Sequence, residues 1–197
     1  LSTLIGSLAA YALSRFSIRG AESIKFWMLS QRFIPPLAIV LPLFVFYKNL
    51  KLIEDYSGQL FGLTMIYLVF ATPFAVWLLE GFFRDLPTDL DEAALVDGCT
   101  RLEALFKIIM PLAVPAIAVT MIFTFLMSWN EFIIALVLTR APSMTITVSF
   151  GNYMQAYRVA WGEMAAATAV VTIPLFVIVW RLQRYIVRGL TLGAVKG

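Results

Sequence analysis

Between Gln59 and Leu79 the chain carries no charged side chain. A helix needs about 20 largely apolar residues to cross roughly 30 Å of hydrocarbon, and runs of this kind recur. Ile108 to Asn130 is also charge-free, with the run continuing through Glu131 to Thr139. Phe26 to Tyr47 holds one charge, Arg32, and Met164 to Trp180 is uncharged and closed by Arg181. Leu1 to Ser14 reads as the second half of a further span, which makes five apolar segments. The runs are continuous and do not alternate at every second residue, so strands of a membrane barrel are excluded. None has a polar face, so helices lying on a membrane surface fit poorly. The expected fold is an all-α polytopic membrane protein, one transmembrane domain over residues 1–197.

Composition agrees. Hydrophobic residues make up 61% of the 197 and charged residues 14%, with a mean hydropathy of +0.87. Soluble domains have about 45–50% apolar residues and roughly 25% charge, and a soluble core of this length could not hide the excess. There is no His and one Cys, which removes a disulfide framework, a zinc cluster, a Ser–His–Asp triad and a histidine proton relay. The sequence opens at Leu1 inside an apolar run, so the reading at this point is of a piece lacking its true N-terminus.

Lys and Arg between the spans set the orientation. Alternating sides gives one face ten, from Arg15 through Arg84, Arg101 and Lys107 to Lys196, and the other four: Lys48, Lys51, Arg140 and Arg158. The richer face, with residues 86–111 and the C-terminal tail, is expected in the cytoplasm. Arg32 falls within a span and is expected to snorkel to that side. Pro35, Pro36, Pro42, Pro73, Pro115 and Pro174 lie in the spans. They are either ordinary kinks or the bends of helices lining a translocation path.

Residues 86–111 read as two short helices with a break. Thr88 is placed to cap the first, ahead of Asp91 and Glu92 near the positive helix end. Gly98 stands where a left-handed terminating residue is needed. Thr100 and Glu103 have the spacing of a capping box for the second helix. Leu102, Leu105, Phe106 and Ile109 fall at i, i+3, i+4 and i+7, one apolar stripe, and Pro111 is expected to end the helix at the membrane boundary. The small Ala93 and Ala94 would let another backbone approach closely. By shape the hairpin is either a docking element or a loop helix packed under its own bundle.

The order Glu92-Ala93-Ala94, Gly98, Ile108 and Met110-Pro111 resembles the EAA loop of ATP-binding-cassette importer permeases, the binding-protein-dependent transport family. Met110 departs from the usual Leu before Pro. Three further stretches resemble the MalG-like carbohydrate branch: Ser128-Trp129-Asn130-Glu131-Phe132, the segment from Ala10 to Phe16, and the C-terminal run from Arg188 to Gly197. The resemblance covers essentially the whole chain. It implies about six spans in the full-length subunit, a coupling hairpin at 86–111, and a permease that has no catalytic residues and binds no cofactor. No Lys is followed by Ser or Thr, so a phosphate-cradling loop is absent. By that resemblance, ATP and Mg are bound by two separate cytoplasmic ATPase subunits. A second permease of different sequence is implied to pair with this one, and an external solute-binding protein to deliver the sugar or polyol. The implied place is the bacterial cytoplasmic membrane, with no metal site and no nucleic acid.

Carried onto this sequence, Glu92, Ala93, Ala94, Asp97 and Gly98 form the ATPase-coupling surface, anchored by Ile108 and Pro111. Trp129, Asn130 and Glu131 are candidates for the solute path, since an aromatic face stacks on a sugar ring and an amide bonds hydroxyls. Equally, Asn130 and Glu131 could hold helices together, or Glu131 could lie near the outer boundary. Rival functions are an importer permease for an amino acid, phosphate, sugar phosphate or metal-chelate, an ion-coupled secondary transporter or channel, and a membrane enzyme. Secondary transporters usually carry ionisable pairs and repeats, whereas Glu131 stands alone in its run.

Overall fold

A computed structural model describes residues 1–155 and 158–194. The helices in chain order are α1 (Ser2–Arg15), α2 (Ala21–Ser30), α3 (Pro36–Asn49), α4 (Tyr56–Asp85), α5 (Asp89–Val96), α6 (Arg101–Ala104), α7 (Met110–Trp129), α8 (Ile133–Leu138), α9 (Ile146–Ser149) and α10 (Trp161–Ala194). A π-turn at Leu105–Ile109 joins α6 to α7, and a two-residue antiparallel ladder pairs Met154–Gln155 with Arg158–Val159. The last three residues of the C-terminal run, Val195 to Gly197, lie outside the described residues.

Among the described residues, three continuous helical stretches are long and apolar enough to span a membrane: Tyr56–Asp85, Arg101–Trp129 and Trp161–Arg181. The run from Phe26 to Tyr47 is not one straight span. It divides into Ala21–Phe33 and Pro36–Asn49, bent by 93°. The tandem prolines explain the break. Each Pro biases the residue before it toward extended backbone and lacks an N–H for the helical ladder; Ile34 and Pro35 have ψ of 119° and 131°. Pro42, Pro73, Pro115 and Pro174 lie inside helices that continue past them. The apolar run after Asn130 also breaks, at residues 130–132, before the short α8.

α1, α4 and α7 form the centre. Gly6 of α1 meets α4 so closely that an added Cβ would stand 2.6 Å from the Ala75 Cβ, the small-residue contact that lets membrane helices approach. The Thr3 and Thr124 hydroxyls, 3.1 Å apart and buried, bond α1 to α7. One core layer gathers Tyr11, Leu79, Phe83, Leu105 and Ile109 at the end near residues 86–111. A second, at the other end of α4, gathers Tyr47, Ile53, Leu63, Ile66 and Leu138. The buried Gln59 ties that second end together. Its Nε2 donates to the Ile53 carbonyl at 3.0 Å, while its Oε1 accepts from the Arg140 amide at 2.9 Å and from the Ser143 hydroxyl. Lys25 Nζ stands 3.3 Å from the buried Glu80 carboxylate and holds α2 against α4.

Candidate functional site

Residues 86–111 do fold back on themselves as two helices. Gly98 has φ +86°, the left-handed conformation that only glycine adopts without strain. Around it the Gly98 amide donates to the Leu95 carbonyl at 3.1 Å and the Cys99 amide to the Ala94 carbonyl at 3.0 Å. That pair is a Schellman termination, and it satisfies the orphan carbonyls of α5. Thr100 then starts α6 with both halves of a capping box: its Oγ1 accepts from the Glu103 amide at 3.3 Å, and its own amide donates to Glu103 Oε2 at 2.9 Å. Lys107 Nζ reaches Glu103 Oε1 at 2.8 Å.

Thr88 is different. It precedes α5, but its φ and ψ of −66° and −24° are already helical and its side chain makes no capping bond among the described residues. A capping side chain needs extended backbone to reach the N2 or N3 amide. Asp91, in the first turn, turns instead toward α1. Its Oδ1 accepts from the Tyr11 hydroxyl at 2.7 Å, and Oδ2 lies 2.9 Å from Arg15 Nε in an off-axis ion pair. Arg15 Nη2 also donates to the Leu86 carbonyl at 3.0 Å. No sequence spacing signals these partners, which stand 71 to 80 residues apart along the chain.

The stripe expected at Leu102, Leu105, Phe106 and Ile109 splits. Leu105 and Ile109 are buried, while Leu102 is 68% and Phe106 58% exposed. The reason is the π-turn, in which the Met110 amide bonds the Leu105 carbonyl five residues back, so that positions three apart no longer share the inward face. Pro111 does not end the helix. It occupies the first turn of α7, where its missing N–H is accommodated by the ladder that the π-turn has just opened.

Of the expected coupling residues, Glu92, Ala93, Asp97 and Gly98 are exposed. Ala94 is 1% exposed and faces inward, against the expectation that it lies on the surface. Its small size lets α5 close on the rest of the hairpin. Ile108 packs half-buried on the adjoining core layer, and Pro111 is exposed. Val96 at the end of α5 is 87% exposed, and Leu102 and Phe106, one turn apart on the second helix, leave apolar side chains exposed there as well.

Trp129, Asn130 and Glu131 are not brought together on one wall. Trp129 packs on Phe125 with ring centroids 5.2 Å apart, and the Asn130 amide donates to the Leu126 carbonyl at 2.8 Å, closing α7. Glu131 accepts from the amides of Ile134 at 2.8 Å and Ala135 at 3.0 Å and from the Tyr67 hydroxyl at 3.1 Å. A carboxylate so placed caps the positive end of α8 and ties it to α4. Beside it lies a cavity of about 160 Å³, walled by Pro36, Tyr67, Phe70, Met127, Ser128 and Glu131. Arg32 does not reach back toward the hairpin end. Its guanidinium lies 4.8 Å from the Phe74 ring centroid and 3.9 Å from Met127 Sδ, about 16 Å along α4 from Asp85 at 1.5 Å per residue.

The family model described as "Binding-protein-dependent transport system inner membrane component" matches residues 2–192. The trehalose/maltose transport system permease protein MalG of Thermococcus litoralis is 37% identical over 98% of this chain and 69% of its own length. The trehalose transport system permease protein SugB of Mycobacterium tuberculosis is 36% identical over 100% and 72%. The diacetylchitobiose uptake system permease protein DasC of Streptomyces coelicolor is 31% identical over 100% and 70%. Among solved structures, a bacterial ABC transporter involved in import of the polysaccharide alginate superposes with a TM-score of 0.69 at 23% identity, covering 93% of this chain and 71% of that one. The methionine ABC transporter MetNI gives 0.64 at 19%, covering 95% and 88%. Both share the fold. The chain belongs to the family of binding-protein-dependent transport system inner membrane components.

Proposed function

We propose that this chain is the non-catalytic permease subunit of an ATP-driven, binding-protein-dependent importer that moves a sugar or polyol across the bacterial cytoplasmic membrane. The observation that carries the reading is the hairpin at 86–111, a rigidly terminated turn whose tip exposes Glu92, Ala93, Val96, Asp97 and Gly98. Relatives named for trehalose, maltose and diacetylchitobiose support a carbohydrate over an amino acid or phosphate. In this reading the hairpin faces the cytoplasm and seats on one of two partner ATPase subunits, which bind ATP and Mg. Ile108 and Pro111 anchor it, and Ala94 spaces its two helices. A second permease subunit completes the pathway, and an external binding protein supplies the solute. Residues 1–197 act as one transmembrane domain. Trp129, Asn130 and Glu131 serve helix packing in this chain, and solute contact falls to neighbours of the Glu131 cavity such as Tyr67 and Ser128.

Gly98→Asp tests the reading. An added Cβ meets nothing within 4 Å among the described residues, but the positive φ strains any side chain there. The subunit is expected to insert and accumulate normally while uptake of labelled trehalose or maltose into membrane vesicles is abolished. Normal uptake by a correctly inserted variant would overturn the assignment.

A further inference from the structure

The geometry points to α1 as a strut that carries movement of the hairpin into the solute cavity, with Tyr11, Arg15 and Asp91 as its positioning residues at the lower joint. This rests on the hairpin being the ATPase-coupling element.

At that joint one guanidinium holds two parts of the hairpin at once. Arg15 Nε pairs with Asp91 in the first turn of α5, and Nη2 bonds the Leu86 carbonyl ahead of α5. The Arg15 side chain is 7% exposed and the Asp91 side chain 16%, so water competes weakly for either charge. Tyr11 adds its hydroxyl to the same carboxylate and packs its ring edge-on to Phe83 of α4, centroids 5.9 Å apart. α5 therefore cannot rotate or slide against α1 without unpairing a shielded carboxylate. Breaking one partner of such a pair costs far more than the pair itself contributes.

The upper joint lies about 18 Å away, twelve residues along α1 at 1.5 Å each. There Thr3 bonds Thr124 of α7 in a buried contact, and Gly6 lies against Ala75 of α4. Thr124 is one turn from Met127 and Ser128, which line the cavity beside Glu131. A helix held at both ends transmits displacement where a flexible linker would absorb it. Of the two covalent routes from hairpin to cavity, the one along α7 passes through the π-turn at Leu105–Ile109, an opened stretch of ladder, and the other runs along α4, against which α1 packs at Ala75.

The test uses the complete importer, purified with its ATPase and partner permease and reconstituted in liposomes with binding protein, trehalose and ATP. The readout is ATP hydrolysed per trehalose imported. Asp91→Asn keeps the shape and removes the charge. It is expected to raise that ratio at least about tenfold, with the ATPase still co-purifying, and Asp91→Glu is expected to restore much of the coupling. Should Asp91→Asn fail to assemble, Tyr11→Phe and Arg15→Lys decide, since both keep the packing and remove only bonds to Asp91 or Leu86. Each is expected to raise the ratio severalfold. A ratio unchanged within twofold in the assembled variants, while Gly98→Asp abolishes transport, overturns the strut and leaves the coupling reading standing. Full transport by Gly98→Asp overturns the coupling reading itself.

Discussion

Asp91, beside the start of the α6–α7 helix, and Glu131, just past its far end, are both shielded carboxylates in an apolar bundle. They draw their partners from different places. Asp91 takes Tyr11 and Arg15 from a helix remote in sequence, and so joins an exposed hairpin to the bundle while leaving the hairpin's tip bare. Glu131 spends both oxygens on amides three and four residues ahead and on Tyr67, which fixes a local turn and leaves the carboxylate little capacity for a solute. Acidic residues in membrane helices invite a functional reading by default. The contrast shows that the partners decide it: a carboxylate spent mainly on the amides just ahead of it is part of the frame, and one whose partners lie on a remote helix is a joint.

Three substitutions would break or sharpen that contrast. The largest effect is expected from Glu131→Ala, which strands two amides and a hydroxyl and should destabilise the subunit by on the order of 3 kcal/mol. Thermal unfolding in detergent would read this, while uptake per folded transporter and the apparent affinity for trehalose stay within twofold. A tenfold loss of affinity would make Glu131 a solute ligand and end the comparison. Thr100→Ala should cost about 1 kcal/mol, the loss of one helix cap. It should weaken amide-exchange protection across residues 100–106 and spare α8, showing that the two ends open independently. Lys107→Ala removes only an exposed i,i+4 pair, so no measurable shift in midpoint is expected; a clear shift would mean that the hairpin depends on surface charge as well as on its joint with α1.

What could be read in the sequence follows the distance over which each signal acts. Gly98 and the Thr100–Glu103 box operate within three residues and were legible as residue types at fixed spacing. The long spans at Gln59–Leu79 and Ile108–Asn130 were legible as unbroken apolarity. Apolarity says nothing of direction, however, so the 93° turn at Pro35–Pro36 was hidden inside what reads as one span. Thr88 fits a capping pattern by identity, but its backbone is already helical. The attachment of Asp91 to α1 left no local trace at all, and neither did the replacement of Trp129 and Asn130 by Tyr67 and Ser128 as neighbours of the cavity beside Glu131. These are contacts that only the packed bundle creates.

The π-turn at Leu105–Ile109 also sets a compass bearing. One additional residue in a helix of 3.6 residues per turn advances everything before it by about 100° relative to everything after. The direction in which Val96, Leu102 and Phe106 face is therefore dialled by a single inserted position and not by the composition of the tip. Excising Lys107 from the π-turn would leave Val96, Leu102 and Phe106 in the chain and aim them a quarter-turn or more away from whatever they meet.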